Sequence, residues 1–306
     1  MHTSIDLIAS IVAQHAALGL PSNVNACATA PEDTPYGVAF AAARRLGFIP
    51  ADAHCVAQAW QRQTERTACF DTAAWPCTAS DFDLPPMAQR PNAFAPCPHA
   101  LGLYTVLPSA DWVARMAQAG VPTLQLRFKS GDAAAIRHEI RAAVTAVEGT
   151  PSLLFINDHW REALDAGAYG IHLGQEDLDT LRADELDTMR QAGVRLGLST
   201  HGYAEMLRAD AVGPSYLALG AVFPTTLKAM QTPPQGLGRL HAYARLLHDR
   251  PLVAIGGIAQ EHLPQVAASG VGSFAVVRAI TGAEHPEQAA QQLQAAWQHC
   301  RASAEI

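Results

Sequence analysis

Lysine is all but missing from this chain. Among 21 basic residues only Lys129 and Lys228 are lysine; every other one is arginine. Guanidinium is a planar fork and ammonium a compact point charge, so the two are not interchangeable where an anion is gripped. The six cysteines (Cys27, Cys55, Cys69, Cys77, Cys97 and Cys300) form no C-x-x-C pair. A zinc site among the five in the first hundred residues stays open, with reduced thiols the simpler reading. No apolar run approaches the roughly 18 residues of a membrane span. Positive charge is scarce too: the net charge is −7, which argues against a nucleic-acid backbone as the main partner. The opening "SIDLIASIVAQHAALGLP" has no basic leader and carries Asp6 and His15 at helical spacing, so it is expected to be an amphipathic helix, not a signal peptide.

What is present is rhythm. From residue 101 onward, apolar strand-like segments recur: "LGLYTVL" (101–107), "TLQLRFK" (123–129), "SLLFIND" (152–158), "YGIHLG" (169–174), "RLGLST" (195–200), "YLALGAVF" (216–223), "PLVAIGG" (251–257) and "SFAVVRAI" (273–280). Helical patterns such as "SADWVARMAQAG" separate them, often closed by glycine, as at Gly120, Gly167, Gly193 and Gly270. Strands alternating with helices predict βα units and a parallel sheet. Eight such units in about 200 residues predict an α/β fold and suit a (β/α)8 TIM barrel with an N-terminal helical extension better than an open sheet, which periodicity alone does not exclude. The expected division is a helical extension over 1–84, a proline-rich linker over 85–100 and the barrel over 101–306.

A barrel gathers its chemistry at the C-terminal ends of its strands. Collecting polar residues there gives Gln125, Arg127 and Lys129, then Asn157 and Asp158, then His172, Gln175 and Asp177. Ser199 and His201 follow the fifth strand, and Thr225, Thr226 and Lys228 the sixth. Gly256 and Gly257 follow the seventh, and Arg278 sits late in the eighth. Both lysines belong to this set. Asp158 and Asp177 end neighbouring strands about 4.8 Å apart, a spacing at which two carboxylates share one hard cation such as Mg2+. Arg127, Lys129 and Lys228 beside them face a polyanion, most simply a pyrophosphate. "AIGGI" (254–258) exposes backbone amides where barrels often hold a phosphate. Taken singly, each residue has an ordinary alternative: Asp158 capping the next helix, or His172 as a satisfied inner histidine. Their joint placement favours two anionic substrates side by side.

In this order and spacing, "QLRFK", "FIND", "HLGQED", "LGLSTH", "VFPTTLK", "AIGGI" and "VVRAI" resemble thiamine-phosphate synthase over about residues 101 to 295. The resemblance implies a transferase joining 4-amino-2-methyl-5-(diphosphooxymethyl)pyrimidine to a thiazole phosphate, with release of pyrophosphate. It implies a pyrimidine diphosphate site built from Gln125, Leu126, Arg127, Phe128, Lys129, Asn157, Ser199 and Lys228. Within that set Arg127, Lys129, Ser199 and Lys228 would act on the reacting groups. Asp158 and Asp177 would ligate Mg2+. Thr225, Thr226, Leu227, Gly257, Val277 and Arg278 would surround the thiazole phosphate. It further implies a cytoplasmic enzyme of small molecules, with a homo-oligomer left open. Two positions depart from the family pattern: Leu227 stands where a hydroxyl is usual, and Arg278 where serine is. A thiazole tautomerase and a non-catalytic sensor of thiamine precursors are the competing readings.

The first hundred residues have another texture. "GVAFAAARRLGFIPADAHCVAQAWQRQ" (37–63) predicts two helices joined by the turn "GFIP". They resemble the C-terminal helices of hydroxymethylpyrimidine phosphate kinase. The kinase's glycine-rich G-T-G-C anion hole is replaced by "NACATAPED" (25–33), so the segment is expected to be a relic or a packing appendage. "KAMQTPPQG" (228–236) is the candidate lid.

Overall fold

The computed structural model describes residues 3–20, 33–90, 92–225 and 233–304. Three helices come first: α1 (Ser4–Gln14), α2 (Pro35–Arg45) and α3 (Pro50–Thr67). α1 opens on a capping box in which Thr3 and Asp6 exchange hydrogen bonds. α2 and α3 each begin with proline, whose missing N–H costs nothing in a first turn. The expected turn "GFIP" joins them.

The barrel then runs β1 (Gly102–Leu107), α4 (Ala110–Gln118), β2 (Thr123–Leu126), α5 (Ala133–Val147), β3 (Leu153–Asn157) and α6 (Trp160–Asp165). β4 (Gly170–Leu173), α7 (Gln175–Thr180), α8 (Ala183–Gln191), β5 (Arg195–Thr200) and α9 (Tyr203–Val212) follow. β6 (Tyr216–Leu219), α10 (Gly236–Leu246), β7 (Leu252–Ile255), α11 (Leu263–Ala268), β8 (Ser273–Val276), α12 (Arg278–Thr281) and α13 (Pro286–Ala304) complete it. The strands pair in parallel in chain order, and β1 closes on β8. Side chains alternate across each strand. One set packs outward against the helices. The other fills the barrel with Leu101, Tyr104, Val106, Phe155, Tyr216, Ala218, Val253 and Ala275. Gly197 makes room for this filling, because a Cβ there would lie 2.1 Å from the Tyr216 ring.

Most strands are shorter than the sequence pattern predicts, β6 and β8 by the most. β6 ends at Leu219, not 223, and β8 at Val276, not 280. At β8 the amides of Ile280 and Thr281 both bond the Val277 carbonyl, at 3.0 Å each. A helical turn therefore starts where more strand was expected, and Arg278 opens that turn instead of sitting late in a strand.

The proline-rich segment spans the opposite, N-terminal end of the barrel. Phe94 N–H bonds the Gly213 carbonyl at 2.8 Å, Ser215 Oγ donates to the Ala95 carbonyl at 2.6 Å, and Arg195 Nε to that of Pro96 at 3.2 Å. Leu101 and Cys97 pack into the barrel interior from this side.

The helical unit shares one continuous apolar cluster with the barrel helices. Phe82 stacks on Tyr203 at 5.3 Å, and Trp75 Nε1 donates to Tyr203 Oη at 2.9 Å. Arg239 of α10, 2% exposed, donates to the carbonyls of Leu18 and Leu46 at 2.9 and 3.0 Å and lies over the Phe48 ring. Asp52 of α3 accepts from Ala204 N–H at the start of α9, at 2.9 Å. It fits only because residue 202 is glycine: a Cβ there would lie 2.2 Å from the Asp52 carboxylate.

Burial pushes the Asp52 carboxyl up from 3.8 to about 6, against the Ala204 hydrogen bond and the charge of Arg239, with Glu205 adding to the rise. An acid harder to ionise when folded holds more protons in the native state across that window, so stability falls as pH rises through it. Asp52→Asn keeps the Ala204 hydrogen bond without the charge. Relative to this variant, the wild type is expected to lose stability between pH 3.8 and about 6 and to run parallel above. Chemical denaturation as a function of pH measures this; a constant difference across the window would contradict it.

Candidate active site

β2 carries the first group. Gln125 points into the barrel, 4% exposed, and its Nε2 donates to Tyr104 Oη at 2.9 Å. Past the strand end, Arg127 N–H holds the Leu107 carbonyl of β1 at 2.7 Å. Alternation sends Leu126 the other way: it is 1% exposed in the outer layer, and Phe128 packs against the same layer. Neither side chain lines the cavity, so the pair could meet the pyrimidine diphosphate through its backbone alone. The physical reason is the period of two along an extended chain.

β3 and β4 supply the acids. Asn157 is 8% exposed at the end of β3. Asp158 follows with a left-handed backbone, φ 65°, and its N–H bonds the His172 carbonyl of β4 at 3.1 Å. Asp and Asn tolerate that conformation better than most residues. The Asp158 side chain does not cap α6; it accepts from Lys129 Nζ at 2.5 Å. Asp177, in the first turn of α7, accepts from Gly174 N–H at 2.7 Å. Burial raises the Asp177 carboxyl above its ordinary value, and the charge of Asp158 adds to the rise, while Gly174 N–H and Lys129 oppose it. The two acids therefore feel each other, as neighbouring strand ends require.

His172, 7% exposed, uses both ring nitrogens: Nδ1 lies 2.7 Å from Tyr216 Oη and Nε2 lies 2.8 Å from Ser199 Oγ. It is the satisfied inner histidine that the strand pattern allowed. Beyond Ser199, His201 pairs with Glu205 at 2.7 Å.

The third corner is backbone. Gly256 and Gly257 adopt φ 100° and 66°, and a Cβ on Gly257 would lie 2.6 Å from the Pro224 carbonyl. Only glycine suits both the dihedral and the space. Next to them Val277 and Arg278 lead into α12, whose first amides have no intrahelical acceptor. Thr225 also lines the cavity, whereas Thr226, Leu227 and Lys228, together with most of the candidate lid, lie outside the described residues. So does "NACATAPED" apart from Asp33.

All three corners open on one cavity of about 600 Å³ at the C-terminal ends of the strands. Gln125, Arg127, Lys129, Asn157, Asp158, Asp177, Ser199, Gly257, Val277 and Arg278 all line it. Asp158 and Asp177 also line an adjoining polar hollow of about 210 Å³. Glu176, Thr200 and Ile255 in the wall, and Tyr104 and Tyr216 beneath it, carry no local sequence signal that marks them for the site. A tyrosine inside a strand looks like core, and only the closed barrel brings these two together.

The family model described as thiamine monophosphate synthase matches residues 104–280. The chain is 51% identical over 204 residues to a thiamine-phosphate synthase of Neisseria meningitidis serogroup A, covering 67% of this chain and 98% of that one. It is 53% identical over 200 residues to a thiamine-phosphate synthase of Cronobacter sakazakii, covering 65% and 94%. Among solved structures, a thiamine phosphate pyrophosphorylase from Pyrococcus furiosus superposes with a TM-score of 0.56 at 26% identity, covering 65% of this chain and 96% of that one.

Proposed function

Because the chain belongs to the thiamine monophosphate synthase family, we infer that its cavity joins 4-amino-2-methyl-5-(diphosphooxymethyl)pyrimidine to a thiazole phosphate. It is a transferase, and its products are thiamine phosphate and pyrophosphate. The observation that carries the assignment of groups is the single cavity in which an acid pair with adjacent cations faces a glycine-rich corner.

Gln125 and Ser199 take the pyrimidine ring and its leaving oxygen. Arg127, Lys129, Asn157 and Lys228 take the diphosphate, and Gly257, Val277, Arg278 and residues 225–227 the thiazole phosphate. The bond between the pyrimidine methylene and oxygen breaks with its electron pair leaving on pyrophosphate. The thiazole nitrogen then supplies the pair for the new C–N bond. The electron-rich aminopyrimidine supports the cation between these events, so no protein nucleophile is required. The chain's work is to hold the two substrates close and to place fixed positive charge where the leaving group develops its own.

Asp158 and Asp177 fit a magnesium ion: both offer oxygen donors, and the rise at Asp177, owed first to burial and then to the like charge of Asp158, is one a cation would relieve. Among the described residues no group of three or more His, Cys, Asp or Glu could hold a metal. Two carboxylates suit an ion whose remaining ligands are phosphate and water. When bound, the ion neutralises charge on the departing pyrophosphate. Lys129, paired with Asp158 at 2.5 Å, is placed to turn from the acid to the diphosphate. No helix among the described residues is long and apolar enough to cross a membrane; action in the cytoplasm is a separate part of the proposal.

Pyrophosphate release tests this reading. Release is expected when the pyrimidine diphosphate, the thiazole phosphate and Mg2+ are all present. A thiazole tautomerase or a non-catalytic sensor would release none. Arg278 gives a second test, because a charge-assisted bond to phosphate is worth about 1.5–3 kcal/mol. Arg278→Ser is expected to raise the KM for thiazole phosphate about tenfold and leave that for the pyrimidine diphosphate unchanged. An unchanged thiazole phosphate KM would take Arg278 out of the site.

A further inference from the structure

A hydrogen-bonded chain runs beneath the cavity and joins its two pyrimidine-facing residues. Gln125 Nε2 donates to Tyr104 Oη at 2.9 Å, and Tyr104 Oη lies 2.7 Å from Tyr216 Oη. Tyr216 Oη lies 2.7 Å from His172 Nδ1, and His172 Nε2 lies 2.8 Å from Ser199 Oγ. The members come from β2, β1, β6, β4 and β5 in that order, so the chain exists only because the barrel closes. Both tyrosines are 1% exposed. Burial drives both phenols above their ordinary range, so each keeps its O–H.

Hydrogen accounting gives the chain a direction. A phenol donates once, and a neutral imidazole donates from one nitrogen and accepts at the other. Tyr104 already accepts from Gln125, and its other partner among the described residues is Tyr216. Its O–H therefore goes to Tyr216, whose own O–H then goes to His172 Nδ1. The ring hydrogen lies on Nε2 and is donated to Ser199, which leaves the serine O–H for the cavity it lines. At the far end, Gln125 keeps its carbonyl oxygen for the same cavity. The opposite direction requires the amide to turn over, and would present a donor at Gln125 and a lone pair at Ser199. An imidazolium would donate from both nitrogens and strand the Tyr216 hydrogen.

We propose that Tyr104, Tyr216 and His172 are positioning residues of the synthase reaction: as a single-direction hydrogen-bonded chain they fix Gln125 as an acceptor for the exocyclic amino group of the pyrimidine and Ser199 as a donor to the departing oxygen. This rests on the placement of the pyrimidine diphosphate given above. As the C–O bond breaks, the amino group becomes a stronger donor and the leaving oxygen a stronger acceptor. Both ends then bind the transition state more tightly than the ground state. No proton moves along the chain; it sets orientation only.

Nitrogen NMR of the resting full-length enzyme tests the direction without any substrate, with the His172 signals assigned by their loss in His172→Gln. The ring hydrogen is expected on Nε2; finding it on Nδ1 would overturn the proposal. Kinetics test the role. Tyr216→Phe is expected to lower kcat about tenfold, the scale of one displaced hydrogen bond, with the thiazole phosphate KM unchanged. Tyr104→Phe should do the same. The double variant should be no slower than either single one, because one break already disconnects the chain. Losses that multiply would mean independent packing effects and would refute the coupling. Should Tyr216→Phe fail to fold, the nitrogen spectrum still decides. Were the wild type to release no pyrophosphate, the reaction would be at fault and the chain's direction would still stand or fall on that spectrum.

Discussion

Asp158→Asn is expected to cut Mg2+-dependent pyrophosphate release about a hundredfold, the scale on which one fixed electrostatic contact to a developing anion acts. Asparagine is the informative replacement. It tolerates the left-handed backbone of this position, φ 65°, so the Asp158 N–H bond to His172 survives and only charge is lost. The Mg2+ concentration giving half-maximal rate should rise along with the loss in rate. Lys129 loses its carboxylate partner, yet its side chain is largely exposed, so the melting temperature should barely move. An unaltered rate at every Mg2+ concentration would remove Asp158 from the ion.

Stability has its own sensitive point on the other side of the fold. Asp210 of α9 is 2% exposed and accepts from Arg250 Nε at 2.6 Å, from Arg250 Nη2 at 3.0 Å and from Arg90 Nη1 at 3.1 Å. Arg250 lies just before β7, and Arg90 in the proline-rich segment. Asp210→Ala leaves two guanidinium groups buried without their counter-charge. Breaking a buried pair from one side costs about 3–5 kcal/mol, and the melting temperature is expected to fall by roughly 10 °C. A loss under about 1 kcal/mol in denaturant titration would mean that Asp249 and the Pro85 carbonyl, which Arg250 also contacts, carry the site without Asp210.

The two variants differ in what foretold them. Asp158 was visible in "FIND" because a strand's end is marked in the chain itself, where apolar alternation stops and a carboxylate follows. Asp210 sits in "RADAV", an ordinary helical stretch, and nothing local announces two arginines, one from just before β7 and one from the proline-rich segment. The same contrast separates Arg127 from Leu126 and Phe128. All three belong to "QLRFK", but strand alternation, applied strictly, sends the apolar pair outward. The end of β8 escaped for a related reason, since "VVRAI" is as compatible with a helical turn as with a strand until the Val277 carbonyl finds its partners.

By itself, then, the order of residues determined the barrel, the acids that follow its third and fourth strands and, among the described cations, Arg127 and Lys129 on the same cavity. Those features repeat with the period of the secondary structure and need only neighbours along the chain. Tertiary structure alone decided that Arg239 and Asp52 lock the helical unit to α10 and α9, and that Tyr104, Tyr216 and His172 form one directed chain. Those contacts join residues 27 to 221 positions apart in sequence. A donor finds its acceptor over such separations only after strands close and helices dock, and no local pattern encodes where that will be.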